Sequence, residues 1–145
     1  FNESNSTFWK GKIDKIIDAN TVVFLQKEKS PFINGRKDEN KEYTVRLIGI
    51  NPDINGEFLK EFLEKNILNK DGEITGDPKI GSEEPIFGIL WWAGGFGDLN
   101  RYLLKNGLAD YLEPEFRPSG LLYSTCVLEQ TTKEAKAAKL GIWSK

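Results

Sequence analysis

Histidine is missing altogether from the 145 residues of this chain. Every mechanism built on imidazole is thereby excluded, including Ser-His-Asp and Cys-His nucleophiles and zinc sites of the usual composition. Cysteine occurs once, at Cys126, so there is no internal disulfide framework. Its neighbours Val127 and Leu128 predict a buried, inert thiol. No run approaches the roughly 20 consecutive apolar residues of a membrane-spanning helix, and no apolar signal-like segment opens the chain. Membrane insertion is therefore not expected. Methionine is absent too, even at position 1. The expectation is excision from a longer precursor, and the start FNESNST suits the mature end of an exported chain, although the compartment stays open. A basic excess is also lacking: 20 Lys and Arg face 22 Asp and Glu, for a net charge of −2. Affinity for duplexes usually rests on such an excess, so a polyanion partner would need a local patch.

The length fits a single domain over residues 1–145, long enough to bury about two thirds of the surface its unfolded form exposes. The stretch EYTVRLIGIN, Glu42 to Asn51, organises it. An apolar, β-branched run with one Arg in its middle predicts a strand crossing a core, and PDINGEFLKEFLEKNI predicts a turn and an amphipathic helix after it. Arg46 lies between Val45 and Leu47, so its side chain points to the opposite face. A guanidinium there sits in solvent, pairs with a carboxylate such as Asp18 or Glu57, stacks on a ring, or meets an anionic ligand.

Upstream, the runs WKGKIDKII and TVVFLQ flank the polar turn Asp18-Ala19-Asn20 and predict a hairpin. Lys27 to Lys41, with Pro31 and Asn34-Gly35, predicts a surface loop. Downstream, Phe58, Leu59, Phe62, Leu63 and Ile67 recur at helical spacing and predict one buried stripe. GEIT predicts a short strand in an otherwise loop-like stretch. PIFGILWWAGG predicts a buried strand with Trp91 and Trp92 facing opposite ways, one of them packed beneath a helix or offered for stacking. Asp98 predicts an N-cap for LNRYLLKNG, with Gly107 as its stop. A last helix is expected from about Leu122 to Leu140, ending at Gly141. Along its flank Lys133, Lys136 and Lys139 are expected to form a solvated face, with a polyanion-binding stripe as the alternative.

The succession KIIDANTVVF, YTVRLIGINPD, NGEFLKEFLEKNI, PIFGILWW, DLNRYLLKNGLA and EAKAAKLGIW resembles the staphylococcal nuclease, or thermonuclease-like, family over nearly the whole chain. The resemblance implies an α+β, mainly β, fold: an OB-fold five-stranded β-barrel with three α-helices. It also implies calcium-dependent cleavage of phosphodiester bonds in DNA and RNA. Calcium takes several oxygen ligands, preferably anionic. A carboxylate base activates water, and Arg side chains stabilise charge growing on phosphorus.

Carried over by residue, most of that set is missing. The family's Asp-Gly-Asp-Thr reads Asp18-Ala19-Asn20-Thr21 here, so a metal-binding Asp becomes Asn20. The family's Asp-Thr-Pro-Glu reads Asn51-Pro52-Asp53-Ile54, so the second metal-binding Asp becomes Asn51 and the base has no equivalent. Asp53 is the nearest carboxylate, shorter and offset by one position. Tyr-Gly-Arg falls on Ile86-Phe87-Gly88, which removes the second Arg. Arg46, Asp18, Thr21 and the supporting Glu57 remain.

Loss of one preorganised charge stabiliser typically costs about 10²–10³ in rate. Several are lost together here. The preferred expectation is a non-catalytic domain binding a single-stranded nucleic acid or a protein partner through Arg46, Asp18, Asn20, Thr21, Asn51 and Glu57. No metal, calcium included, and no small-molecule cofactor is expected in that case. The alternative is a calcium-dependent or other divalent-metal phosphodiesterase with a rearranged site, in which Arg46 and Asp53 are the catalytic residues.

Overall fold

In the computed structural model, residues 7–28, 42–76, 86–114 and 122–144 are described. Most of the loop expected before Glu42, the stretch after Gly76 and most of the EPEFRPSG linker lie outside them. Strand β1 (Thr7–Asp18) turns at Ala19-Asn20 into β2 (Thr21–Glu28), forming the expected hairpin. Strand β3 (Glu42–Leu47) pairs antiparallel with β2, with Thr21 opposite Arg46 and Phe24 opposite Tyr43. Strand β4 (Asp71–Gly76) contains GEIT and pairs with β1. Strand β5 (Ile86–Trp91) runs parallel to β3 and antiparallel to β4, closing the barrel in the order β1-β2-β3-β5-β4. Closure gives every strand a neighbour on both sides, which is how a small sheet avoids an exposed ladder.

The interior holds Ile13, Val22, Phe24, Val45, Leu47, Ile74 and Leu90, each at most 1% exposed. Helix α1 (Gly56–Asn66) contributes Leu59 and Leu63, and Ile67 seals the turn beyond it. Helices α2 (Leu99–Lys105) and α3 (Leu122–Ala137) complete the fold. The chain is an α+β OB-fold barrel with three helices.

Several details differ from the sequence-based expectation. Strand β3 stops at Leu47, because Ile48 and Gly49 turn and Gly49 takes φ 81°, after which Ile50 bridges to Tyr111. Of the helical stripe on α1, Phe58 is 46% exposed. Phe62 is half-buried, within an aromatic group whose ring centroids lie 5.6 Å (to Phe96) and 6.4 Å (to Tyr102) away. Trp91 and Trp92 do not alternate: the strand ends at Trp91, Trp92 adopts φ 69°, and their rings are 5.9 Å apart. Alternation holds only while the backbone is extended.

Cys126 is exposed rather than buried. Its helix buries Thr125, Leu128, Thr131, Thr132 and Ala135. Three threonines thus form most of the inward stripe, and Thr132 returns its hydroxyl to the Leu128 carbonyl at 3.0 Å. Apolar patterning cannot see such a face. Lys133 and Lys136 are exposed as expected, but α3 ends before Lys139. Lys136 itself lies 4.7 Å over the Trp143 ring and 3.9 Å from Asp110.

Asp98 caps α2, its Oδ1 accepting from the Arg101 amide at 3.0 Å. Burial raises its pKa above the ordinary carboxylate value, an effect only partly offset by the Arg101 amide and charge and by the Asn100 amide. A raised folded-state pKa means that the folded chain holds this proton more tightly than the unfolded one. The resulting stabilisation is complete below the unfolded value of 3.8 and is lost as pH rises through the folded value. Asn caps a helix about as well as Asp. Asp98→Asn is therefore expected to match or exceed the parent's stability at pH 7 and to fall behind it in strong acid. Chemical denaturation of both proteins from pH 3 to 7 measures this, and a gap that widens in the opposite direction would refute it.

Candidate nucleic-acid interface

The hairpin turn supplies the first wall. The Ala19 amide donates to Asp18 Oδ1 at 2.6 Å, holding that carboxylate against its own turn. Asn20 follows, nearly buried at 7% exposure. Its Oδ1 accepts from the Thr21 hydroxyl at 3.0 Å, while its Nδ2 donates to the Ile50 carbonyl at 3.4 Å. Its backbone carbonyl accepts from the Leu47 amide at 2.7 Å. The side chain thus braces the hairpin against the segment that follows β3.

Arg46 stands on β3 beside this turn. Tyr43, Val45 and Leu47 point into the core, so Arg46 points outward and is exposed. Its guanidinium lies 5.7 Å over the ring of Phe87, its register partner on β5. It stacks there rather than pairing with Asp18 or Glu57. Together Asp18, Asn20, Thr21, Arg46 and Phe87 line a cleft of about 210 Å³, with Leu112 and Glu113 on the far side. The Leu112 amide is tied to the Gly49 carbonyl at 3.1 Å, which fixes that wall to the turn after β3.

The other expected residues stand apart. Asn51 Oδ1 accepts from the Asp53 amide at 2.9 Å, an Asx turn that starts the connection to α1. Ile50 and Pro52 reach the cleft, whereas Asn51, Asp53 and Glu57 are not among its lining residues. Asp53 and Glu57 are exposed. Four of the seven sequence candidates therefore meet: Asp18, Asn20, Thr21 and Arg46.

Phe87, Leu112 and Glu113 were not singled out by sequence. Alternation along PIFGILW does put Phe87 opposite its buried neighbours, but nothing in one strand tells which other strand it faces. The structure also moves the expected place of a second Arg. A side chain at Gly88 would meet the Thr75 carbonyl oxygen at 2.6 Å and Ile74 Cγ2 at 3.1 Å. Position 87, not 88, is where a β5 side chain reaches the cleft.

The donor set does not suit a hard cation. Among the described residues Asp18 and Glu113 are the carboxylates lining the cleft, Asn20 has its amide committed at both ends, and Asn51 turns its oxygen to its own loop. Among the described residues no three Asp, Glu, Cys or His side chains group as a metal site. Calcium prefers six to eight oxygens with anionic members.

The model of the staphylococcal nuclease homologue family matches residues 44–145. The chain belongs to that family. A search of the curated proteins found no match. The match to this nuclease family begins inside β3, after the hairpin that carries Asp18, Asn20 and Thr21. Strand pairing supplies what the match omits, since Thr21 sits directly opposite Arg46.

Proposed function

We propose that this nuclease-family domain binds single-stranded nucleic acid at the Arg46 cleft without cleaving it. The observation that carries the reading is the pairing of an outward guanidinium with the Phe87 ring, beside an amide where the family would hold a metal carboxylate. Arg46 offers a forked donor set to a phosphate. The guanidinium plane stacked on Phe87 offers its outer face to a base, and such stacking tolerates any sequence. Asn20, neutral and already hydrogen-bonded, adds no repulsion against an anion. Asp18 keeps one oxygen on the Ala19 amide. The position where the resemblance would put the base carries an exposed Ile54, and Asp53 stands outside the cleft, which favours binding over hydrolysis.

Anisotropy titration with labelled 12-nucleotide DNA and RNA strands at low salt, alongside a quenched cleavage assay with calcium, magnesium and manganese, tests this. The expected result is binding that weakens with salt, about −0.7 in log affinity per log salt for each phosphate neutralised, and no turnover. Arg46→Ala should weaken binding about tenfold, in the range of one lost charged contact. No binding to either strand would move the reading to a protein partner. Turnover abolished by chelator and by Asp53→Ala would establish the rearranged phosphodiesterase instead.

A further inference from the structure

A second concavity, of about 490 Å³, lies at the opposite end of the barrel. Lys10 lies eight residues before Asp18 on the bulged β1, and Lys27 lies six after Thr21 on β2, so the two sites are separated by roughly 15–25 Å at the usual rise of a strand. The floor is the backbone of Gly11 and Gly72, which face each other across β1 and β4. The rim carries Lys10 and Lys27 on one hand, Asp71 and Glu73 on the other, and Trp92. The volume falls within the range of small-molecule sites, about 300–1,000 Å³.

Trp92 is the unusual member. It is 59% exposed and holds φ 69°, a left-handed conformation that bulky residues rarely adopt. Two backbone bonds fix it, from its amide to the Gly97 carbonyl at 2.8 Å and from the Gly95 amide to its own carbonyl at 3.0 Å. The turn that follows is Ala-Gly-Gly-Phe-Gly, and even a Cβ at Gly97 would approach the indole only to 3.8 Å. The glycines leave the ring uncovered. The neighbouring Trp91 ring, 5.9 Å away, supports it from the strand end. Among the described residues the Trp92 ring meets only the Trp91 ring, and more than half of its surface stays exposed.

From these features we infer that this groove is a binding site for a neutral oligosaccharide, with one pyranose ring stacked on Trp92. The charges decide between ligand classes. Among the described lining residues two lysines balance two carboxylates, and Lys10 is already 3.9 Å from Glu73. A polyanion gains no net attraction there and meets two carboxylates. A protein hot spot is ordinarily ringed by groups that exclude water, whereas this ring has charged groups and bare backbone beside it. A sugar matches both parts. Its C–H face suits an indole, and its vicinal hydroxyls can donate to Asp71 and Glu73 and accept from Lys10 and Lys27. The inference stands independently of what the Arg46 cleft binds.

Saturation-transfer NMR and tryptophan emission with cellotetraose and chitotetraose, at physiological salt, test it. At least one of the two sugars is expected to receive saturation through its ring protons and to shift the emission saturably. The effect should persist in Arg46→Ala and change little between 0.05 and 0.5 M salt, because no counterions are released. Trp92→Gly is expected to weaken it at least tenfold while melting at or above the parent temperature, since glycine accepts the left-handed backbone without strain. Binding of neither sugar, or binding that survives Trp92→Gly, would overturn the inference. So would a lower melting temperature for Trp92→Gly, which would make the ring a packing element. Salt-sensitive binding of a dT12 strand that is lost in Trp92→Gly would assign the groove to nucleic acid instead.

Discussion

Asn100→Ala is expected to lower the unfolding free energy by about 3–5 kcal/mol, the range of changes that break a buried polar network. Asn100 is fully buried in α2 and uses all of its amide. Its Nδ2 donates to the Ile48 carbonyl at 2.9 Å and to the Gly88 carbonyl at 3.2 Å, and its Oδ1 accepts from the Leu90 amide at 3.1 Å. One side chain therefore joins α2, β5 and the turn after β3. Alanine would leave a cavity and deprive the Leu90 amide and the Ile48 carbonyl of their partner. Asn100→Asp should be at least as damaging, because a carboxylate cannot donate to either carbonyl and carries a charge into an apolar site. Since Ile48 lines the Arg46 cleft, the ligand affinity of whatever fraction stays folded should drop as well. Urea denaturation measures the first effect. A loss under 1 kcal/mol for Asn100→Ala would mean that the three bonds do not form in solution.

Asn20→Asp is expected to destabilise the domain by about 2–3 kcal/mol at neutral pH, the cost of replacing a buried donor with a charge. The amide nitrogen that now donates to the Ile50 carbonyl would become an anionic oxygen facing it. Burial would raise the pKa of the new carboxyl, so the loss should shrink as pH falls through the carboxylate range. Asn51→Asp should cost little, because Asn51 acts only as an acceptor for the Asp53 amide and Asp accepts equally well. Ile50 and Pro52 on either side of position 51 line the cleft, so a carboxylate there that releases the Asp53 amide reaches it. The pair combined is expected to be less stable than the parent without metal and to regain stability with calcium, which relieves repulsion among the added carboxylates and Asp18. Hydrolysis should still be absent. Adding Ile54→Glu and Phe87→Arg supplies a base and a second guanidinium, and weak calcium-dependent cleavage is then expected. Position 87 is chosen over 88 because the space beside Gly88 is filled by the backbone of β4. Calorimetric titration with calcium decides the matter. If the paired variant gave neither heat nor thermal shift, positions 20 and 51 would not share a coordination point, and the correspondence with the family's ligands would fall.

Much of the fold was legible because local rules agreed with one another. The turn at Ala19-Asn20, the Arg-bearing strand, the Leu59–Leu63–Ile67 stripe and the Asp98 cap each follow from spacing or from one residue's chemistry. Cys126 was misread because its helix buries threonines, which a hydrophobic pattern does not count: Thr132 bonds back to the Leu128 carbonyl and Thr131 accepts from Arg101 Nε at 3.4 Å. Trp92 was misread because a single left-handed residue ended the alternation on which the reading relied.

By itself the sequence determined the absence of imidazole chemistry and the face on which Arg46 projects. These are properties of composition and of strand geometry, which one chain segment carries whole. Only the tertiary structure decided what Arg46 meets. Phe87 comes to it through a parallel pairing of strands forty-one residues apart, Thr21 through an antiparallel one, and Leu112 through a bond to the Gly49 turn. It also decided that Asn20 is a brace rather than an idle remnant, since the Ile50 carbonyl it holds lies thirty residues away. Contacts of that kind depend on how the barrel closes, and closure depends on all five strands at once.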